Sequence, residues 1–138
     1  HWQQSLCAFA LCAVSFGVLV DFMPHSFSST QWEGFLFGDC RRKFRTVQKS
    51  LGKKNLGING KAAFQTKAPS KWRPPAAIKS FIVGTVTEIS GRSVTAYASR
   101  IIDIYPFYIG IRKPKDSIRV DQQHVFDIAT VCPDGKQA

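Results

Sequence analysis

Residues 80–89 read SFIVGTVTEI and residues 93–104 read SVTAYASRIIDI, and these two runs decide the predicted fold. Both are rich in β-branched residues, and along the second run Val94, Ala96 and Ala98 alternate with Thr95, Tyr97 and Ser99. Alternation with a period of two is typical of a β-strand. The turn-forming pair Ser90-Gly91 separates the runs, so the sequence predicts a β-hairpin.

The remainder of the C-terminal third predicts further strands and no helix. Residues 109–111, 117–120 and 125–131 are short apolar runs bounded by polar or Pro-containing loops. A small sheet exposes its edges unless it closes, so we expect an all-β fold with a closed barrel over residues 78–136. The five-stranded oligonucleotide-binding (OB) barrel is the leading candidate, and an SH3-like barrel is the alternative.

The charge of the 138-residue chain is concentrated in its middle. The formal net charge is +10, from 19 basic and 9 acidic residues. Residues 40–80 carry twelve of the bases and no acid, whereas residues 81–138 are nearly balanced. A basic block without acids is typical of an organelle transit peptide or of an arm that binds nucleic acid. Residues 25–77 are therefore predicted to be a transit-like segment or an extended basic arm.

The N-terminal part is apolar. Residues 6–20 read LCAFALCAVSFGVLV and contain no charge. That run is short for a membrane span, which needs about 20 residues, and it fits the apolar core of a secretory signal. A signal peptide, a signal anchor and a buried helix of the mature fold remain open for residues 1–24. The expected leader has little structure apart from one apolar helix.

A signal-like segment followed by a transit-like segment resembles the two-part leaders of proteins sent to complex plastids. The predicted destination is a plastid, with a mitochondrion as the alternative. We expect no stable membrane association once the leader is removed.

The sequence holds no recognisable set of catalytic or metal-binding residues. The four cysteines form no C-x-x-C pair and the three histidines are scattered, so neither a metal nor a cofactor is predicted. His124 lies near Asp121 and Asp127 in sequence, but no nucleophile accompanies them. The chain is expected not to be an enzyme.

The C-terminal third resembles the small-subunit ribosomal protein seventeen family of bacteria and organelles. The resemblance rests on the order and spacing of short marks: an opening strand with Gly84, a second strand framed by Arg92 and Arg100, a Pro-x-Tyr, a basic loop and two later strands. These marks are residues 82–86, 92–100, 106–108, 112–115, 118–121 and 126–131, followed by Cys132-Pro133 and Lys136.

This resemblance implies a structural protein of an organellar small ribosomal subunit, with small-subunit ribosomal RNA and neighbouring ribosomal proteins as partners. An RNA-binding barrel needs cations for phosphates and flat side chains that stack on bases. The implied RNA-binding residues are Arg92, Arg100, Tyr108, Arg112, Lys113, Lys115 and Arg119. From the residues alone, a solvated basic loop with aromatics capping the barrel stays open. The alternative function is a membrane-anchored or secreted β-barrel that binds a protein or glycan.

Overall fold

The computed structural model describes residues 2–7, 13–115 and 117–138, with side chains from Ser15 onward. Within these residues the structure contains β-strands and one 3₁₀ turn, so the predicted all-β class is confirmed. The elements in chain order are β1 (Trp2–Cys7), β2 (Ala13–His25), the 3₁₀ turn (Thr30–Trp32), β3 (Phe35–Phe37), β4 (Val47–Lys54), β5 (Lys61–Thr66), β6 (Ala77–Glu88), β7 (Ser93–Ile102), β8 (Tyr108–Arg112) and β9 (Asp127–Val131).

The strands form three sheets in the part of the chain that the structure describes. β1 pairs with β5, the second sheet has the order β4-β2-β6-β7, and the third has the order β3-β8-β9. The chain folds into two compact units. Unit 1 comprises His1–Met23, Arg45–Trp72 and Lys79–Ile102, and unit 2 comprises Pro24–Phe44, Arg73–Ile78 and Asp103–Ala138.

The predicted five-stranded OB barrel over residues 78–136 is wrong. The hairpin of β6 and β7 is confirmed, but it joins a sheet with β2 and β4, whereas β8 and β9 pair with β3. The strands of the supposed barrel therefore take partners from earlier in the chain and do not close on one another. Residues 117–120, which were expected to be a strand, form none.

The predicted leader of low structure with an apolar helix is also wrong. Strand β1 ends at Cys7 and β2 begins at Ala13, while residues 8–12 lie outside the described residues. Residues 25–77 contain β3, β4 and β5. Among the described residues no helix is long and apolar enough to cross a membrane. Removal of a leader and delivery to an organelle stay predictions.

The buried face of β2 forms the core of unit 1. Phe16, Val18, Val20 and Phe22 are all buried, whereas the residues between them are more exposed. This alternation has the period of a strand, and it explains why the described end of the apolar run, from Ala13 onward, is a strand and not a helix. The ring of Phe16 meets that of Phe64 edge to face, with 5.6 Å between centroids. Phe22 meets Trp72 in the same way at 5.1 Å.

The two edges of the four-stranded sheet differ in character. β4 runs antiparallel to β2 with a register shift, because Val18 lies opposite Gly52 while Leu19 lies opposite Ser50. Gly52 supplies the positive φ of +83° at this bulge. β4 also carries Lys49, Lys53 and Lys54. Bulges and lysines discourage pairing with another chain, so this edge is protected. β7 forms the opposite edge and carries a single charge, Arg100.

Unit 2 packs one face of its three-stranded sheet onto an aromatic cluster, defined here as Phe27, Phe37, Tyr105 and Tyr108. The ring of Phe27 stacks on Tyr108 with 4.4 Å between centroids and meets Phe37 edge to face at 5.0 Å. Gly110 of β8 makes this packing possible, because a Cβ there would lie 2.5 Å from Cε1 of Phe37. The small side chains of Ala76 and Ala77 complete the cluster.

Tyr108 is the buried polar member of the aromatic cluster. Its side chain is 3% exposed, and its hydroxyl donates a hydrogen bond of 2.6 Å to Oδ1 of Asp103. Burial raises the pKa of Tyr108 well above its usual value, and the bond to the Asp103 carboxylate raises this pKa further. The phenol is therefore held in its neutral form inside unit 2.

Replacing Phe22 by Ala should lower the free energy of unfolding by about 3–5 kcal/mol, because Phe22 is 0% exposed and its loss leaves a cavity against Trp72. Urea titration followed by circular dichroism measures the loss. Val94→Ala is the matched control, since Val94 lies in the same sheet but is 61% exposed. Equal losses in the two variants would contradict the assignment of β2 to the core.

Tyr108 should make the protein less stable in alkali. The unfolded chain releases this proton near the usual tyrosine pKa of about 10, while the folded chain keeps it. Its contribution is therefore full below that pH and is lost as pH rises, by up to about 1.4 kcal/mol per pH unit.

Unfolding measured from about pH 8 to about pH 11 should show a shallower loss in Tyr108→Phe than in the parent. Tyr97→Phe, at a tyrosine that is 65% exposed, is the control and should follow the parent. A parent-like slope in Tyr108→Phe would show that the Tyr108 phenol is not held neutral.

Candidate functional site

Three of the predicted RNA-binding residues meet at an open cleft in unit 2. The cleft has a volume of about 590 Å³ and lies between the loop after β8 and the segment that leads into β9. Its lining residues are Arg112, Lys113, Pro114 and Lys115 on the first side and Gln123, His124, Val125 and Asp127 on the second. Residue 116, within the first loop, lies outside the described residues.

The guanidinium of Arg112 contacts Asp127 and Phe35, two residues of its own unit. It lies opposite Asp127 in the antiparallel pairing of β8 and β9, and its Nη2 is 2.9 Å from Oδ2 of that carboxylate. Its Nε donates a second hydrogen bond of 3.0 Å to the same oxygen. The guanidinium also lies over the ring of Phe35, 4.7 Å from the centroid. These contacts give Arg112 a structural role at the end of the sheet.

Arg119 belongs to a loop that His124 closes. Nε2 of His124 lies 3.1 Å from both the backbone nitrogen and the carbonyl oxygen of Arg119. One tautomer accepts a hydrogen bond from the N–H group and the other donates one to the carbonyl. The contact involves the backbone of Arg119, and it fixes the loop next to the cleft.

The remaining predicted site residues do not line this cleft. Tyr108 is buried in the aromatic cluster, where its ring cannot stack on a base. Arg92 and Arg100 belong to unit 1. The carbonyl of Arg92 accepts a hydrogen bond of 2.8 Å from the N–H of Glu88 at the hairpin turn, and the carbonyl of Arg100 accepts one of 3.1 Å from the buried hydroxyl of Ser80.

The outer face of the three-stranded sheet is apolar and exposed. We call Leu36, Ile109, Ile111 and Ile128 the apolar face. Leu36 lies opposite Ile111, which lies opposite Ile128, so the three form one row across the sheet. Ile109 and Thr130 form the neighbouring row. The four apolar residues are 73%, 55%, 47% and 68% exposed, in the order given.

Sequence reasoning missed this apolar face, although the sequence contains a signal for it. In β8, Tyr108 and Gly110 point to the aromatic cluster, and Ile109 and Ile111 alternate with them. The basic residues after β8 predicted an RNA-binding loop, whereas the alternation along β8 indicates which of its side chains face away from the aromatic cluster.

The described residues of the cleft supply charges and hydrogen-bonding groups. Within residues 13–115 and 117–138, no group of three or more His, Cys, Asp or Glu side chains could hold a metal ion. The carboxylate of Asp127 is taken up by Arg112, and His124 binds the Arg119 backbone. Lys113 and Lys115 also line the cleft, and both are exposed.

Comparison with known proteins found one matching family and two similar solved structures. Residues 18–103, more than half of the chain, match the family described as the bacterial alpha-2-macroglobulin MG5 domain. The structure is similar to native alpha-2-macroglobulin of Escherichia coli, at 22% sequence identity and a TM-score of 0.58, over 96% of this chain and 10% of that protein. It is also similar to Escherichia coli alpha-2-macroglobulin activated by porcine elastase, at 24% identity and a TM-score of 0.53, over 88% of this chain and 11% of that protein.

The chain thus spans about a tenth of the length of these structural relatives. No curated protein matches the sequence.

The resemblance to the ribosomal protein seventeen family is therefore wrong, and with it the ribosomal function, the ribosomal RNA and the ribosomal protein partners. The marks behind it were short strands and turns, which recur in many all-β proteins because alternation and turn chemistry are local properties. The matched family covers residues that the ribosomal resemblance left out, including most of β2 and all of β4 and β5. This chain belongs to the bacterial alpha-2-macroglobulin MG5 domain family.

Proposed function

We propose that this chain is a structural, non-catalytic module of a longer alpha-2-macroglobulin-like protein that traps proteases. The observation that carries the proposal is the family match over residues 18–103. A structural relative that aligns with most of the chain is described as activated by porcine elastase. The protease response is proposed for the long protein, and the present chain supplies part of its framework.

The physical character of the chain supports a framework role. Each unit has its own buried aromatic contacts, at Phe16–Phe64 and Phe22–Trp72 in unit 1 and around Tyr108 in unit 2. Edge-to-face and stacked rings add directional packing to apolar burial, and such packing keeps sheets in a defined geometry. Frameworks need this rigidity when neighbouring parts of a protein move.

The basic middle of the chain is consistent with the same role. Lys49, Lys53 and Lys54 lie on the edge strand β4, where charge discourages pairing with foreign strands. Lys54 also donates a hydrogen bond of 2.6 Å to the carbonyl of Ala63 and lies over the ring of Phe64, 4.9 Å from its centroid. These lysines contribute to the solubility and packing of unit 1. Their presence therefore does not require a nucleic-acid partner.

The isolated chain should leave porcine elastase fully active. Activity is measured on a small chromogenic peptide and on a large protein substrate, with and without a molar excess of the chain. We expect no change with either substrate, because a framework module by itself neither blocks the active site nor encloses the protease. Loss of activity on both substrates would identify a direct inhibitor, and loss on the large substrate alone would identify a self-sufficient trap. Either result would contradict the proposal.

The polypeptide that contains this sequence in its host should be on the order of ten times longer than the chain, and its native-gel mobility should change after elastase treatment. An antibody against the 138-residue chain can recover it for mass spectrometry and for the gel assay. A short polypeptide, or a long one that elastase leaves unchanged, would overturn the proposed function.

A further inference from the structure

We propose that the loop between β4 and β5 binds the surface of an anionic lipid bilayer, with Ile58 entering the headgroup layer and the lysines beside it contacting lipid phosphates. This loop, residues 55–60, reads NLGING. Protease trapping is not required for this binding, because the surface belongs to the chain itself. The association is reversible, since a single short loop enters the lipid.

The positive charge of the chain lies almost entirely in unit 1. Unit 1 holds ten basic and two acidic residues, a formal charge of +8, whereas unit 2 holds nine basic and seven acidic residues, a formal charge of +2. Within unit 1, residues 45–72 supply seven of the bases and no acid, and all seven bases are exposed. An excess of this size in one unit favours binding to a negatively charged surface.

Ile58 is held at the tip of a hydrogen-bonded turn. The N–H group of Gly60 donates a hydrogen bond of 2.8 Å to the carbonyl of Gly57, which places Ile58 and Asn59 at the two central positions. The side-chain oxygen of Asn59 accepts a hydrogen bond of 3.2 Å from the N–H of Lys61. Ile58 is 112% exposed, the largest value among the exposed apolar side chains that the structure describes. A second surface is needed to bury this side chain.

Three lysines flank the base of the turn. Lys53 and Lys54 end β4, and Lys61 begins β5. The two ends lie close together, because Nζ of Lys54 donates a hydrogen bond of 2.6 Å to the carbonyl of Ala63. Within the described residues, Lys53 and Lys61 belong to no ion pair. Their long stems allow the ammonium groups to reach phosphates on either side of the inserted tip.

The combination of an apolar tip with lysines favours a lipid surface over an acidic protein. An anionic bilayer offers phosphates above a continuous apolar layer, so one contact pairs the lysines and buries Ile58. An acidic polypeptide in solution pairs with the lysines but offers Ile58 no comparable apolar layer.

Vesicle sedimentation tests the lysines. The 138-residue chain is mixed with vesicles of phosphatidylcholine alone or of phosphatidylcholine with anionic phosphatidylglycerol. We expect binding to the mixed vesicles that weakens as salt is added, and little binding to the neutral ones. Lys53→Gln combined with Lys61→Gln should weaken binding about 25-fold, because each base near an anionic surface contributes roughly fivefold.

Lys67→Gln combined with Lys71→Gln is the matched control. It removes the same charge from two exposed residues that follow the other end of β5. This pair should weaken binding less than about threefold, because the removed charges lie away from the contact. Equal weakening by the two pairs would mean that the charge of the unit acts as a whole, and the proposed loop site would be wrong.

Two substitutions test entry of the tip into the lipid. Ile58→Ser should weaken binding to the mixed vesicles roughly fivefold and leave the melting temperature unchanged, since Ile58 packs on nothing that its loss would expose. Val120→Ser, at an 88% exposed valine of unit 2, is the control and should bind like the parent. In Ile58→Trp, brominated lipids should quench tryptophan fluorescence more strongly than in the parent.

Parent-like binding of Ile58→Ser, or parent-like quenching in Ile58→Trp, would show that the tip stays outside the lipid and would overturn the proposal. Binding to soluble polyaspartate as tight as to the mixed vesicles, and insensitive to Ile58→Ser, would identify an acidic polypeptide as the partner and would also overturn it. The elastase assays on the long polypeptide test the protease response separately, so failure of either proposal leaves the other standing.

Discussion

The burial of one face of β2 is the constraint on which unit 1 depends. β2 lies inside the four-stranded sheet, between β4 and β6, so its side chains at alternate positions enter the core. A bulge at Gly52 shifts the register between β4 and β2. Apolar burial is the largest favourable contribution to folding, so the strand with the most buried rings and branched chains organises its neighbours.

In unit 2 the packing of the aromatic cluster depends on a single glycine, Gly110. Gly110 leaves room for the ring of Phe37, and Tyr108 two positions earlier turns toward the same cluster. The pleat then forces Ile109 and Ile111 to the opposite side of the sheet. The aromatic cluster and the apolar face are therefore two consequences of one strand register.

Two of the basic side chains pack on aromatic rings of their own unit. Arg112 pairs with Asp127 over the ring of Phe35, and Lys54 lies over the ring of Phe64. In both contacts the cationic group itself lies over the face of the ring, where the electron-rich ring face attracts it. A high count of Lys and Arg thus does not by itself indicate a nucleic-acid partner. The family match of this chain is to a domain of alpha-2-macroglobulin.

Local patterns in the amino acids were sufficient to predict the all-β class, the β6–β7 hairpin and the turn at Ser90-Gly91, because alternation and turn chemistry act over a few residues. They could not identify strand partners, since β6 pairs with β2, which lies more than fifty residues earlier and resembles a signal segment in composition. The inward direction of Tyr108 and the exposure of Ile111 likewise depend on long-range packing. Which side of a strand becomes interior is set by the elements that cover it, and those elements come from distant parts of the chain.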